Sequence, residues 1–153
     1  MNGYTLKLTN IKNCDPDNVL KMAENFEVML DKDCNLVYSG CVNVTKPIKT
    51  SPGTYLMKKP PLPTLDGEVD FCEVIAGGLP TIKETLAAMG APSKCPVAAK
   101  NYCSLPNKKV NIGLFKNQLG LAAGTSTMKL MANHDSGKSC LEMSINISKA
   151  RKG

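Results

Sequence analysis

The sequence contains no tryptophan, and its aromatic content is only 5%. Proteins that bind single-stranded nucleic acid stack bases on aromatic side chains, so this composition argues against that class. Long apolar runs are also missing, since none approaches the roughly 18 residues of a membrane-spanning helix. With 153 residues the chain is the size of one domain, and we expect residues 1–153 to form a single domain.

Histidine occurs once, at His134. A hydrolytic triad needs groups that converge from separate parts of the chain, whereas His134, Asp135 and Ser136 are neighbours in a predicted turn. We therefore expect an exposed turn histidine and no enzyme activity. The cysteines form no CxxC pair and no ligand cluster with His134, so we expect neither a metal site nor a cofactor.

The formal net charge is +6, yet the lysines are scattered along the chain. The basic clusters are Lys58-Lys59, Lys108-Lys109 and the tail at 149–152. This distribution is typical of a solvated basic surface, and we expect no nucleic-acid partner. It is compatible with mild attraction to anionic lipid headgroups and transient contact with a membrane surface.

Cysteine is abundant, with seven residues, and a reducing cytosol rarely selects so many. We expect a secreted protein or one of the lysosomal lumen, with one thiol left over because seven is odd. The sequons at Asn43 and Asn146 agree with a glycoprotein of such a compartment. No export signal is recognisable after Met1, so we expect a mature form.

Alternating apolar and polar residues predict a series of short strands. The clearest is the last, at residues 141–148, and a second at 127–132 leads into it. Asp-Ser-Gly at 135–137 predicts a hairpin between them. Similar alternation, with an irregularity at Gly40, is found at Val28, Leu30, Leu36, Tyr38, Val42, Val44, Val110, Ile112 and Leu114.

Prolines are dense at residues 45–67, which predicts loops and an edge strand there but no central strand. One convincing helix is predicted after Pro80, with Thr81 as N-cap, Glu84 three residues later and Gly90 as its stop. Many strands, one short helix and no βαβ repeat favour an all-β sandwich over an α/β fold.

A more specific signal lies in the C-terminal half. It consists of CPVAAKNY at 95–102, SLP at 104–106, residues 119–125, and SGK at 136–138 before Cys140. Together these segments resemble the ganglioside activator branch of the ML lipid-recognition family. A weaker match upstream involves NCD at 13–15 and FC at 71–72.

The resemblance implies an immunoglobulin-like β-sandwich, a β-cup whose two sheets splay apart to hold acyl chains. It also implies bridges from Cys14 to Cys140 and from Cys72 to Cys95. The activator's other cysteines near the helix are missing, so the resemblance does not extend to presenting gangliosides to a hydrolase.

Three cysteines are left without counterparts in the activator: Cys34, Cys41 and Cys103. Cys41 lies within a predicted strand, whereas Cys34 follows Asp31-Lys32-Asp33 in a predicted turn. We therefore favour a third bridge between Cys41 and Cys103.

Eight methionines give the core flexible side chains that adapt to irregular ligands, although composition alone favours an ordinary filled core. With the resemblance, the two inner faces and the helix are expected to line one cavity, with residues 77–90 near its mouth. The apolar segment at 87–92 either touches a membrane or packs on the sheet. The predicted ligand-binding residues are Val28, Leu30, Tyr38, Val42, Val44, Phe71, Ile82, Leu86, Met89, Ile112, Leu114, Met128, Leu130, Met143 and Ile145.

Two functions follow from this fold. The first is a secreted lipid-binding protein that transports or presents an acyl chain or other apolar ligand. The alternative is a secreted protein-binding or signalling module that acts through a protein receptor, because one fold supports both. A hollow interior would favour the carrier, and an exposed apolar patch the interaction module.

Overall fold

The computed structural model describes residues 3–149, except for the side chain of Lys116. The part of the basic tail from residue 150 onward lies outside this range. β-Strands are the main regular structure of the described chain, and they are β1 (Tyr4–Asn13), β2 (Leu20–Met22), β3 (Glu27–Leu30), β4 (Asn35–Ser39), β5 (Cys41–Val44), β6 (Pro52–Lys58), β7 (Leu65–Asp70), β8 (Lys100–Cys103), β9 (Val110–Asn111), β10 (Gly124–His134) and β11 (Gly137–Lys149). The helices are α1 (Phe71–Ala76), α2 (Pro80–Ala88) and a 3-10 helix at Gly113–Gln118.

The strands form two antiparallel sheets. The large sheet has the order β7-β6-β10-β11-β1-β3-β4-β9, and the small sheet has the order β2-β5-β8. The all-β sandwich predicted from the alternating pattern is therefore confirmed. No helix within residues 3–149 is long and apolar enough to cross a membrane.

The long hairpin of β10 and β11 forms the centre of the large sheet. Its register runs from Gly124 opposite Ile147 to His134 opposite Gly137, so the predicted turn at 135–137 is confirmed. Paired residues share a face of the sheet, and the alternation in both strands places one row of apolar side chains inward.

Gly40 is the point where the chain passes from one sheet to the other. β4 belongs to the large sheet and β5 to the small one, and Gly40 joins them with a φ of 133°. A Cβ atom here would lie 2.8 Å from the ring of Phe26 and 3.0 Å from its Cα. The predicted irregularity is therefore a change of sheet, which only glycine accommodates.

The proline-rich stretch contains more regular structure than its composition predicts. β6 pairs with both β7 and β10 and is an interior strand, so the prediction of no central strand in residues 45–67 is wrong. Pro52 is the first residue of β6, and the other prolines of the stretch lie outside its span. β7 is the expected edge strand.

The predicted helix after Pro80 is present as α2, but its N-terminus differs from the expectation. Leu79 is the N-cap residue and supplies no side-chain hydrogen bond, whereas Thr81 lies inside the first turn. Pro80 itself starts the helix, because its fixed φ suits the first helical position. A second helix, α1, was not predicted, and in it Asp70 Oδ1 accepts hydrogen bonds from the backbone amides of Cys72 and Glu73.

Three disulfides join distant parts of the chain. They are the predicted Cys14–Cys140, Cys72–Cys95 and Cys41–Cys103 bridges, and Cys34 is the remaining free cysteine. Three bridges in a domain of this size indicate folding in an oxidising compartment.

A solid apolar core fills one part of the sandwich. Ala88 at the end of α2 packs there with Val110, Ile112 and Leu119, all of them at most 7% exposed. Leu30, Leu36, Tyr38 and Ile147 pack against this group from the large sheet. This cluster is called the solid core below.

Candidate functional site

A cavity of about 300 Å³ lies between the small sheet, the β10–β11 hairpin and the two helices. Its lining contains no Asp, Glu, Lys or Arg and is apolar apart from a few hydroxyl groups and one imidazole. The lining residues are Leu20, Val42, Val44, Ile48, Ser51, Phe71, Cys72, Ile75, Leu86, Met89, Ala91, Pro92, Cys95, Val97, Tyr102, Leu130, Ala132, His134, Ser139 and Leu141.

One wall is the inward row of the hairpin. Leu130 is paired with Leu141, and Ala132 with Ser139, so these four side chains share a face of the large sheet. The next pair, Lys129 and Glu142, faces the other way, and its charged groups lie 3.8 Å apart. Period-two alternation thus keeps charge out of the cavity.

The opposite wall is the small sheet. Leu20 pairs with Val44, and Val42 pairs with Tyr102, so that all four contribute to one face. Val44 and Tyr102 are only 4% and 7% exposed, and the Tyr102 hydroxyl donates a hydrogen bond to the Ala98 carbonyl at 2.8 Å. Because this hydroxyl is satisfied within the wall, the ring presents an apolar surface to the cavity.

The helices close the remaining side. The ring of Phe71 lies against the bare backbone of Gly53, where an added Cβ would come within 2.7 Å of the ring. The Cys72–Cys95 disulfide ties α1 to the segment after α2, and both cysteines line the cavity. Phe71, Cys72 and Leu86 are only half-buried, so this side of the cavity reaches the surface.

Six of the fifteen predicted ligand-binding residues line this cavity: Val42, Val44, Phe71, Leu86, Met89 and Leu130. Met128, Met143 and Ile145 are on the same face of the large sheet as Leu130 but lie farther along their strands, beyond the cavity. Val28 on β3 and Ile82 on α2 are half-buried outside it.

Four further predicted residues do not line the cavity. Leu30, Tyr38 and Ile112 belong to the solid core or pack against it. Burial raises the pKa of the Tyr38 hydroxyl, which hydrogen-bonds to Thr85 Oγ1 at 3.0 Å. Leu114 is 89% exposed because the predicted strand ends at Asn111 and the chain turns into the 3-10 helix, so its placement as a wall residue is wrong.

The segment at 87–92 is mostly packed inside. Ala88 and Met89 are 3% and 8% exposed, and Ala91 and Pro92 line the cavity. The helix end is therefore packed, and contact of this segment with a membrane stays a prediction.

His134 is the main polar group of the cavity, and the prediction of an exposed turn histidine is wrong. It is the last residue of β10 and is partly buried. Its Nδ1 lies 2.9 Å from Ser51 Oγ and its Nε2 lies 2.7 Å from Ser139 Oγ. Ser51 and Ser139 are 4% and 7% exposed and also line the cavity. We call these three residues the polar pole.

The polar pole lacks the arrangement of a hydrolytic triad. Asp135 does not touch the ring; its Oδ1 accepts hydrogen bonds from the backbone amides of Lys49 and Thr50, and these bonds lower the pKa of the carboxyl group. Ser51 occupies Nδ1, the ring nitrogen that a triad carboxylate would orient. Burial lowers the pKa of His134, although the charge of Asp135 opposes this shift, so the ring is neutral at neutral pH.

Sequence reasoning missed the polar pole for two reasons. Ser51 lies in the proline-rich stretch, and nothing in its neighbourhood predicts that it is buried. The signal for His134 was present, because it continues the inward row of Leu130 and Ala132 at a spacing of two. Within residues 3–149, no group of three or more His, Cys, Asp or Glu side chains is placed to hold a metal ion.

The chain is similar to a mosquito protein over nearly its whole length. A protein of Anopheles gambiae named Sporozoite-associated mosquito saliva protein 1 is 28% identical over 148 residues, which are 95% of this chain and 81% of that protein. No family model matches the chain. The similarity to the salivary protein thus extends over nearly the whole sandwich.

Proposed function

We propose that this chain is an extracellular lipid-binding protein that holds an acyl chain or another apolar ligand between its two sheets, for transport or presentation. The observation that supports this best is the cavity of about 300 Å³, because its lining has no charged side chain. Cavities of this kind are the usual sites of apolar small molecules, and this volume is at the lower end of their range. No catalytic step is part of the proposal.

The proposed family is the ML lipid-recognition family. Its support is the C-terminal resemblance together with the Cys14–Cys140 and Cys72–Cys95 bridges, which that resemblance implied and which are present. The cavity is lined by residues of both sheets, which agrees with the ligand position in the β-cup that the resemblance implies.

The proposed compartment is the extracellular space and not the lysosome. The three disulfides and the salivary relative support it. Of the two sequons, Asn43 is exposed on β5, whereas the amide of Asn146 donates a hydrogen bond to Thr125 Oγ1 at 3.0 Å. We therefore propose Asn43 as the better glycan acceptor.

The test is organic extraction of protein purified from secreting cells, followed by mass spectrometry. We expect apolar molecules to be recovered in stoichiometric amounts. Ala91→Phe should abolish their recovery, because Ala91 lines the cavity and a ring there occupies the ligand volume. The matched control is Ala87→Phe, since Ala87 is exposed on α2. Equal recovery from both variants, or none from the wild type, would refute lipid binding in this cavity.

A second candidate function is binding to a protein receptor, and one observation favours it. Leu114 and Leu121 are 89% and 81% exposed, and Phe115 beside them is 47% exposed, on the 3-10 helix and the turn after it. Exposed apolar groups this close in sequence are typical of interaction surfaces. If extraction recovers no lipid, Leu114→Ser with Leu121→Ser should reduce binding to cells, while Ala91→Phe should not.

A further inference from the structure

The apolar cavity has hydrogen-bonding groups in one place, the polar pole of Ser51, His134 and Ser139. The remaining polar hydroxyl of the lining, that of Tyr102, is already bonded to Ala98. A ligand that enters the cavity therefore meets polar groups at one end of its length. These groups can bind the ligand only if the hydrogen bonds between them leave a donor or an acceptor free.

The polar pole has more polar hydrogens than it has hydrogen bonds between its three side chains. The two serine hydroxyls and the neutral imidazole carry one polar hydrogen each, three in total. The two hydrogen bonds between them use two of these hydrogens, whichever ring nitrogen is protonated. Ser139 Oγ also accepts a hydrogen bond from the backbone amide of Leu20 at 3.0 Å, but this contact uses Leu20's hydrogen. One serine hydroxyl therefore keeps a hydrogen with no acceptor in the described contacts of Ser51 and Ser139.

We infer that the polar pole binds one uncharged oxygen of an otherwise apolar ligand, so that the cavity takes long-chain alcohols, aldehydes or esters in preference to pure hydrocarbons. This inference rests on the proposed lipid-binding function. A buried donor without an acceptor is costly, and a ligand oxygen in this place removes that cost.

The absence of charge in the lining specifies an uncharged oxygen. A carboxylate at the polar pole would face two hydroxyls and a neutral ring, because burial lowers the pKa of His134. None of the lining residues is a lysine or an arginine. Transfer of a carboxylate into such a site without a cation is strongly unfavourable. Lys49, whose charge helps to lower the pKa of Asp135, is not among the residues that line the cavity.

The test compares three probes of equal chain length: decanol, chlorodecane and decanoate. Each competes with N-phenylnaphthylamine fluorescence, which tryptophan does not obscure because the chain has none. In an apolar cavity without a free donor, chlorodecane should bind more tightly than decanol, since the alcohol gives up its hydrogen bonds with water. We expect decanol to bind at least as tightly as chlorodecane at neutral pH, and both more tightly than decanoate.

The position of the alcohol can be read from His134, whose ring is the only imidazole in the chain. Saturating decanol should shift its ring nitrogen signals in NMR spectra, while saturating chlorodecane should leave them nearly unchanged. This measurement needs no variant and does not depend on how a substitution affects folding.

The variant combines Ser51→Val with Ser139→Val, because loss of one serine alone still leaves a free polar hydrogen, whereas the two valines remove both hydroxyls and cover both ring nitrogens. It should weaken decanol by about tenfold, the equivalent of one well-formed hydrogen bond, and leave chlorodecane unchanged. Thr54→Val, on the exposed side of β6, is the control.

The outcomes separate this inference from the function on which it rests. If no probe displaces the fluorophore, the proposed lipid binding fails. If chlorodecane binds more tightly than decanol, or if both shift the ring signals equally, the cavity binds apolar molecules but the polar pole does not recognise oxygen. Decanoate as tight as decanol would overturn the restriction to uncharged ligands.

Discussion

The side-chain amide of Asn18 forms hydrogen bonds with both backbone groups of Cys140. Its Nδ2 donates to the Cys140 carbonyl at 2.8 Å, and the Cys140 amide donates to its Oδ1 at 2.8 Å. Asn18 is 1% exposed, and because the Cys140 carbonyl also accepts a hydrogen bond from the Cys14 amide at 2.9 Å, Asn18 completes the backbone pairing of β11 beyond the end of β1. The pairing lies beside the Cys14–Cys140 bridge and holds the loop after β1 in place.

Asn18→Ala should lower the free energy of unfolding by about 2 to 3 kcal/mol, because the buried Cys140 amide loses its partner. Urea denaturation of oxidised protein measures the change. Asn10→Ala is the control, since Asn10 is exposed on β1. A similar effect of both variants would contradict the role assigned to the Asn18 pairing.

Leu130→Ala and Ile112→Ala should have opposite effects on stability and on binding. Leu130 lines the cavity, so its truncation should weaken decanol by about 1 to 2 kcal/mol and change the stability of ligand-free protein little. Ile112 lies in the solid core, so its truncation should cost about 2 to 5 kcal/mol of stability without changing affinity. Denaturation and probe displacement on both variants test this. Full core cost at Leu130 with no loss of affinity would mean that the interior is filled.

Two of the disulfides should likewise differ in how much they contribute to stability and to ligand binding. The Cys14–Cys140 bridge closes 126 residues and should contribute about 5 kcal/mol by restricting the unfolded chain. The Cys72–Cys95 bridge closes 23 residues and should contribute about 3 kcal/mol, but it borders the cavity. Paired alanine substitutions should therefore show the larger drop in melting temperature for the first bridge and the larger loss of decanol affinity for the second. If loss of the Cys14–Cys140 bridge weakened decanol binding more than loss of the Cys72–Cys95 bridge, the second bridge would not be part of the ligand site.

Acidification should destabilise the protein through His134. Its pKa is lowered from the usual 6.5 by burial, so below pH 6.5 the unfolded chain takes up a proton that the folded chain does not. The free energy of unfolding should be highest above pH 6.5, fall as the pH decreases and level off below the folded pKa. The lowered pKa values of Asp31, about 2, and Asp135 act only at lower pH.

Thermal unfolding at about pH 7.5 and pH 5.5 measures this effect. Because the chain has a single histidine, His134→Gln should remove most of the difference between the two conditions. A variant as sensitive to pH as the wild type would assign the effect to other groups.

Ligand binding should slow hydrogen exchange in α2 more than in the β10–β11 hairpin. Both elements border the cavity, but α2 is a short helix without a side-chain cap, whereas the hairpin is paired along its whole length. Local opening should therefore take place at the helices. Exchange measured by mass spectrometry with and without decanol tests this, and equal protection of α2 in both would place the mouth elsewhere.

The sequence predicts which face of a strand a side chain occupies, but not whether that side chain lies at the level of the cavity along the strand. Alternation correctly placed Leu130, Met143 and Ile145 on one inward face. Only Leu130 reaches the cavity, because the volume at each level depends on what the opposite wall and the helices contribute. Such packing depends on residues distant in sequence and leaves no periodic trace.

The remaining differences have local causes. A glycine inside an alternating stretch indicates a bulge or a bend equally well, so the change of sheet at Gly40 was visible only as an irregularity. α1 is six residues long and too short to show helical periodicity. The third bridge was predicted only from the placement of Cys41 in a strand and Cys34 in a turn, and the structure adds the reason that Cys41 and Cys103 occupy paired positions on neighbouring strands.

Gly40 connects β4 of the large sheet directly to β5 of the small sheet, so one continuous segment of the chain belongs to both layers. The residue after Gly40, Cys41, forms a disulfide with Cys103 on β8, the edge strand next to β5 in the small sheet. Neither layer can separate at this edge without disturbing the other. We therefore expect loss of structure in one sheet to spread to the other through this connection, so that the two layers unfold as one cooperative unit.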